Sequence, residues 1–394
     1  MLVFGASGAG FALANILLAR GLPKGEYALF TLVLALMNLG APLAAAGIDV
    51  VAVRRPLRYG PGLLGQVLFA SSVVSLGVGL VGAAYRLGPA QVAMIVAAGV
   101  AGGVSLVAAG EYQRRHRLAR SLVIVHAPNL VLLVAAAATL AAGVTVAWPP
   151  LLLLTAGFAL CAIGGWAPLL REPPGAAGDT ALPWREAFSL FGANASGTLL
   201  TQLDRLIIPH LLPLSMLATY GALSAVVGSL FRVLQRGIGY ALLPRLRSAG
   251  SVRERRRLVL KEARMVAVVV LAGSLVLWFA TPLVEDWLLG GKYRFAPSLV
   301  LATILVGLAK IVTGFSRATV TALADGRELA LVNLTGWVSV ALAVGAAFIG
   351  ARWGLAGVIY GVGLGWLMRS LASLAITVRH LRHAPPGTAA ASAS

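Results

Sequence analysis

The feature that most limits this chain is the recurrence of long, uninterrupted apolar runs from one end to the other. A helix rises about 1.5 Å per residue and a hydrocarbon core is about 30 Å thick, so each run is long enough to cross a bilayer as a helix. Twelve are read, from Leu2–Ala19 through Ala28–Val53, Phe188–Leu211, Leu217–Leu243, Met265–Val284 and Ala296–Ala318 to Leu355–Val378. A transmembrane β-barrel would show alternating segments of about ten residues instead. With 59% hydrophobic and 11% charged residues in 394, the composition agrees, since a soluble domain carries about 25% charge. The expected fold is an all-α polytopic membrane protein of about twelve transmembrane helices.

The net charge of +19 points to lipid rather than nucleic acid, because the basic residues lie in short clusters between runs. Loops after even-numbered runs, with the tail, hold 21 Lys and Arg; loops after odd-numbered runs hold six, namely Arg20, Lys24, Arg86, Lys292, Arg294 and Arg352. The positive-inside bias then places both termini in the cytoplasm. The most basic stretch, RLRSAGSVRERRRLVLKEARM, reads as an amphipathic helix on the inner leaflet. Cys161 is the only cysteine, which excludes an intramolecular disulfide. The first run ends at Arg20 without a basic leader or a small-residue cleavage site, so it reads as a first span rather than as a cleaved signal, and a start within a span leaves a truncated N-terminus open.

A short echo divides the chain. Phe4-Gly5-Ala6 with Ser7-Gly8 matches Phe191-Gly192-Ala193 with Ser196-Gly197, and each leads to an arginine, Arg20 or Arg205, then a proline and a tyrosine, Tyr27 or Tyr220. The implied organisation is two parallel six-helix lobes, 1–170 and 188–380, joined by a cytoplasmic linker, 171–187, and followed by a disordered tail, 381–394. Gly357, Gly361 and Gly365 recur every fourth residue and read as a close-packing face. The glycines near the N-terminus do not fit a dinucleotide fingerprint, and no Walker loop, paired histidines or nucleophile elbow can be found, so the reading is not an enzyme. His126, beside Pro128 and Asn129, reads as a local kink, with a proton relay as the alternative.

The informative residues are charges inside apolar runs. An ionisable group there costs roughly 2.5 kcal/mol or more and marks a cavity, a partner or a pathway. Asp204 and Arg205 are neighbours pointing about 100° apart on a helix, so each needs its own partner. Arg232 and Arg236 share one face and repel unless an anion lies between them; Lys310 and Arg369 lie deep in their runs. Snorkelling to the headgroups is the other reading: it suits Arg317 and Arg236 well, Arg205 partly and Lys310 poorly. Asp49 beside Arg54 is either a helix-end pair or part of the same site. A central cationic cavity would select an anionic amphiphile, and arginines favour phosphate or pyrophosphate.

The run from Leu17 to Arg55, with Arg20, Tyr27, Gly47, Asp49 and Arg54, resembles the opening of Wzx-like lipid-linked oligosaccharide flippases of the multidrug/oligosaccharidyl-lipid/polysaccharide exporter superfamily. Asp204-Arg205, Tyr220, Leu243-Pro244, Gly291-Lys292-Tyr293, Gly326-Arg327, and Gly354 with Gly357 extend the resemblance over nearly the whole chain. The first turn departs from the family, reading Leu-Pro-Lys-Gly where Leu-Gly-Pro is usual. The resemblance implies alternating-access transfer of an undecaprenyl-pyrophosphate-linked oligosaccharide, an O-antigen or exopolysaccharide repeat unit, across a bacterial cytoplasmic membrane. It further implies that Arg20, Arg205, Arg232, Arg236 and Lys310 hold the substrate, while Asp49 and Asp204 tune the charge or couple to protons or Na⁺. No cofactor or metal is expected. The partners expected are the lipid-linked substrate, membrane lipids and other polysaccharide-assembly proteins, without nucleic acid. A membrane glycan polymerase or ligase, which would normally need a large outer loop, and a small-molecule antiporter, which would need an acidic cavity, are the competing readings.

Overall fold

The computed structural model describes residues 2–171, 182–232, 234, 235, 238, 246, 251–323 and 326–382. Among these the chain is helical throughout: α1 Leu2–Gly21, α2 Lys24–Ala44, α3 Ile48–Arg54, α4 Pro61–Ala84, α5 Pro89–Arg114, α6 Leu118–Ala141, α7 Trp148–Arg171, α8 Trp184–Leu211, α9 Leu214–Val226, α10 Val252–Trp287, α11 Pro297–Leu323, α12 Gly326–Gly350 and α13 Gly354–Arg382. Pro61 and Pro89 start α4 and α5, where a missing N–H costs nothing. Eight described helical stretches are long and apolar enough to cross a membrane. Large apolar side chains point outward along them, with Phe69, Leu80, Phe279 and Trp287 each more than 70% exposed, as suits helices whose solvent is lipid. The linker and tail read from the sequence fall largely outside the described residues.

Packing gathers the chain into two compact units. The first holds Leu2–Ala225 together with Leu288–Lys292; the second holds the described residues from Val226 to Trp287 and from Tyr293 onward. The six-helix halves of the sequence concern repeats, whereas packing assigns α8 and α9 to the first unit.

Within the first unit α5 is the central helix, packed on α2, α3, α4, α6 and α7. Its small residues make this feasible: a Cβ at Gly103 would stand 2.7 Å from the Ala44 carbonyl carbon, and one at Gly110 would stand 2.5 Å from the Asp49 carbonyl oxygen. Aromatic side chains close the core around it. The Trp166 indole donates to the Val104 carbonyl at 2.8 Å, and the Tyr112 hydroxyl donates to the Gly165 carbonyl at 2.9 Å. Within the second unit, α13 packs on α12 through backbone. A Cβ at Gly357 would overlap the Gly350 carbonyl, one at Gly361 would lie 2.5 Å from the Ala347 nitrogen, and one at Gly365 would lie 2.5 Å from the Ser339 oxygen. The four-residue glycine spacing is therefore the packing face expected.

Two boundaries differ from the sequence reading. The second apolar run is broken at Ala45–Gly47, where Ala46 and Gly47 take φ of 50° and 78°, so Asp49 sits on the separate short helix α3. Gly47 is required twice, by its left-handed backbone and because α8 passes so closely that a Cβ would meet the Ala187 carbonyl. The basic stretch from Val252 is also not a separate surface helix: no proline or glycine interrupts it before the ninth run, and α10 continues through both for 36 residues. At about 1.5 Å per residue that exceeds the hydrocarbon thickness by roughly 20 Å, which leaves its basic end to the headgroups.

Candidate functional site

In the first unit, α8 ends at the corner formed by Leu212 and Pro213, and α9 follows with Tyr220 and Ser224 four residues apart on one face. Asp204 and Arg205 on α8 are 4% and 5% exposed. Each has its own partners, as their directions on the helix require. The Tyr220 hydroxyl donates to Asp204 Oδ2, and the Arg205 backbone N–H donates to Oδ1 at 3.0 Å. The Arg205 guanidinium donates to Ser224 Oγ at 3.2 Å and to Gln202 Oε1 at 3.3 Å. Opposite charges, a phenol, a hydroxyl and an amide thus form one buried polar knot. A Cβ at Gly221 would touch Thr31 and Tyr27 of α2 (Thr31 Oγ1 at 2.7 Å), so α9 lies close against α2 beside the knot.

Arg20 is exposed in the last turn of α1. Beside this helix end lies Leu288–Lys292, a segment of the same unit, whose Gly290 and Gly291 have φ of 62° and 70°. Lys292 Nζ donates to the Ala19 carbonyl at 3.0 Å and also to the Leu22 carbonyl. These are among the carbonyls a helix end leaves unsatisfied, and an ammonium there also suits the negative end of the dipole. Burial first, then the Lys24 ammonium, pushes the Lys292 pKa down. Asp49 is half-buried on α3, and burial pushes its carboxyl up to about 6, against backbone hydrogen bonds that act the other way.

Arg232 and Lys310 belong to the second unit. Arg232 is half-buried on the short helical stretch after the turn at Val227. That stretch packs along α11: the Phe231 ring lies on Gly307, and a Cβ at Gly314 would stand 3.1 Å from the Gln235 side chain. Lys310, midway along α11, holds its ammonium 5.3 Å from the centroid of the Trp366 ring on α13. Arg369, one turn beyond Trp366, is 5% exposed. Hydroxyls bind the two helices together. Thr313 and Ser370 meet at 2.7 Å, Ser370 Oγ donates to the Ala309 carbonyl at 2.7 Å, and Thr377 donates to the Ser316 carbonyl at 3.4 Å. Arg236 lies outside the described residues. The structure thus places Arg20, Asp49, Asp204 and Arg205 in one unit and Arg232 and Lys310 in the other, and joins Asp204 to Arg205 through the Arg205 backbone N–H.

Two buried polar groups escape a sequence reading. Ser7 Oγ lies 3.1 Å from His126 Nδ1 and accepts from Asn129 Nδ2 at 2.9 Å, so His126 belongs to an α1–α6 cluster rather than only to a local kink. Glu111, fully buried at the end of α5, accepts from Arg114 at 2.6 and 2.9 Å and from Arg115 at 2.5 Å. Its spacing of three and four residues from those arginines was the available signal.

No protein-family model and no curated protein matches this chain. Solved structures do match. One described as an inward-facing multidrug resistance MATE family transporter of the MOP superfamily aligns with a TM-score of 0.64 at 12% identity, over 95% of this chain and 94% of that one. The lipid II flippase MurJ in an inward closed conformation gives 0.65 at 9% identity, over 97% and 89%. A MOP superfamily transporter from Pyrococcus furiosus, described as having a binding pocket of reversed polarity, gives 0.56 at 14% identity, over 97% and 94%. The chain has the fold of MOP superfamily transporters. The twelve-helix, two-lobe membrane architecture expected from the sequence is therefore shown.

Proposed function

We propose that this protein is a carrier that flips an undecaprenyl-pyrophosphate-linked oligosaccharide, an O-antigen or exopolysaccharide repeat unit, from the inner to the outer face of a bacterial cytoplasmic membrane by alternating access. Both termini would then face the cytoplasm. The observation that carries the reading is the charge of the second unit's central helices: α11 and the apolar body of α13 contain Lys310, Arg317 and Arg369 and no acid. Cations kept in apolar helices at a cost of several kcal/mol call for an anionic ligand, and a phosphate-bearing amphiphile in a membrane is the natural one. The fold shared with a structure described as a lipid II flippase adds support.

In this reading Arg20, Arg205, Arg232, Arg236 and Lys310 hold the substrate. Arg205 does so only by exchanging its bonds to Ser224 and Gln202. Asp49 and Asp204 would tune that charge or couple to protons or Na⁺, and the Ser7–His126–Asn129 cluster would add a further titratable group. A multidrug antiporter shares the fold, but a cationic drug would be repelled by these helices. Deleting the gene should abolish surface polysaccharide while complete lipid-linked units accumulate on the inner leaflet. Units that reach the outer face unpolymerised or unligated would move the protein to an enzymatic step and overturn the proposal.

A further inference from the structure

The second unit carries an apolar groove on the outer side of α12 and α13 that the transport reading does not use. It encloses about 450 Å³, with Gly350, Gly357 and Gly361 as its floor, Ala346 and Ile349 on one wall, and Trp353 and Tyr360 on the other. Its origin is the backbone contact described above. Where Gly357 meets the Gly350 carbonyl the two helices touch without side chains, so the flanking side chains flare apart and leave a trough. Trp353, the last residue of the turn that precedes α13, and Tyr360, on α13, both line the groove and are 71% and 40% exposed.

The head of the groove is the 3-10 turn Ala351–Trp353, between the end of α12 and the start of α13. There Arg352, an exposed cation, precedes Trp353. A basic residue and a tryptophan at a helix end are the anchors of the headgroup level. From this turn the groove runs down α13 to Leu364, roughly 15 Å at 1.5 Å per residue, which is about half the hydrocarbon core. A cation at the mouth and an apolar trough of that depth complement an anionic headgroup with an acyl chain below it. We propose that this groove is a binding site for an anionic phospholipid, its phosphate at Arg352 and one acyl chain along Gly350, Gly357 and Gly361. The site is independent of what the protein carries.

The test is tryptophan quenching in phosphatidylcholine vesicles that contain an equal small fraction of either brominated phosphatidylglycerol or brominated phosphatidylcholine. The difference between the full chain and its Trp353→Phe variant isolates Trp353. Brominated phosphatidylglycerol should quench Trp353 with roughly fivefold preference, the worth of one basic side chain at an anionic headgroup. Arg352→Gln, an exposed change, should remove the preference, and Ala346→Phe with Ala356→Phe should remove quenching by filling the trough. Equal quenching by both lipids, or a preference retained in Arg352→Gln, would overturn the proposal. So would displacement of the quencher by stoichiometric undecaprenyl phosphate, which would make the carrier lipid the occupant. Concentration-dependent self-association that shields Trp353 would make it a second copy of the chain.

Discussion

The α8–α9 knot in the first unit and the α11–α13 seam in the second face the same difficulty, charge on long apolar helices, and answer it differently. The knot combines an acid and a base: Asp204 takes the Tyr220 hydroxyl and Arg205 takes Ser224 and Gln202, and both charges are almost fully buried. On the seam, α11 and the apolar body of α13 contribute cations and no acid of their own, with Lys310 over the Trp366 ring, Arg369 buried, and Thr and Ser hydroxyls bonded across the two helices. Formal charge cancels between Asp204 and Arg205, whereas the charged residues of α11 and of the apolar body of α13 are all basic. The knot fixes α9 on α8, and under the proposed function the seam is where an anionic ligand would gain most. Two arginines that look alike in the sequence, Arg205 and Arg369, thus sit in different surroundings.

The contrast breaks first at Asp204. Asp204→Ala removes the acceptor of the Tyr220 hydroxyl and the negative charge that offsets the buried Arg205, and should cost about 3–5 kcal/mol in thermal unfolding, and Arg205→Met in the same chain should restore most of the loss. Tyr220→Phe removes one donor from a buried carboxylate and should cost about 1–3 kcal/mol by the same measurement. Lys310→Met gives up the cation–π contact with Trp366, about 1–2 kcal/mol, but should abolish export in cells; a stability loss as large as that of Asp204→Ala would erase the distinction between the two regions. Asp49 has only backbone hydrogen bonds set against its burial and sharpens the contrast from a third side. Its folded pKa of about 6 lies above the ordinary 3.8, so the folded state holds the proton more tightly and stability falls as pH rises from about 4 to 6. Asp49→Asn should flatten that slope and gain about 1 kcal/mol at neutral pH, after discount for its partial exposure.

Hydropathy made the fold legible, because a run long enough to cross a bilayer has few other solutions in a chain so poor in charge. The same signal hid the break at Ala46 and Gly47, since both residues are apolar and nothing in hydropathy encodes a positive φ. It also separated the basic stretch from the ninth run, although no residue between them stops a helix. That Asp204 and Arg205 need different partners followed from 100° per residue alone. Which partners they find depends on the corner at Pro213, which sets the register of Tyr220 and Ser224 against α8 and is a tertiary matter. Lys310 was legible as a deep cation, whereas Trp366 beneath it was hidden among the other aromatics of the apolar runs.

The central claim is that the cations of the second unit serve an anionic lipid-linked ligand. It is tested most directly by reconstituting the purified protein in vesicles with a fluorescent undecaprenyl-pyrophosphate oligosaccharide and following its appearance at the opposite leaflet. The full chain should accelerate transfer, and Arg232→Ala and Lys310→Ala chains of unchanged thermal stability should lose that acceleration. Transfer at the full rate by both variants would contradict the account.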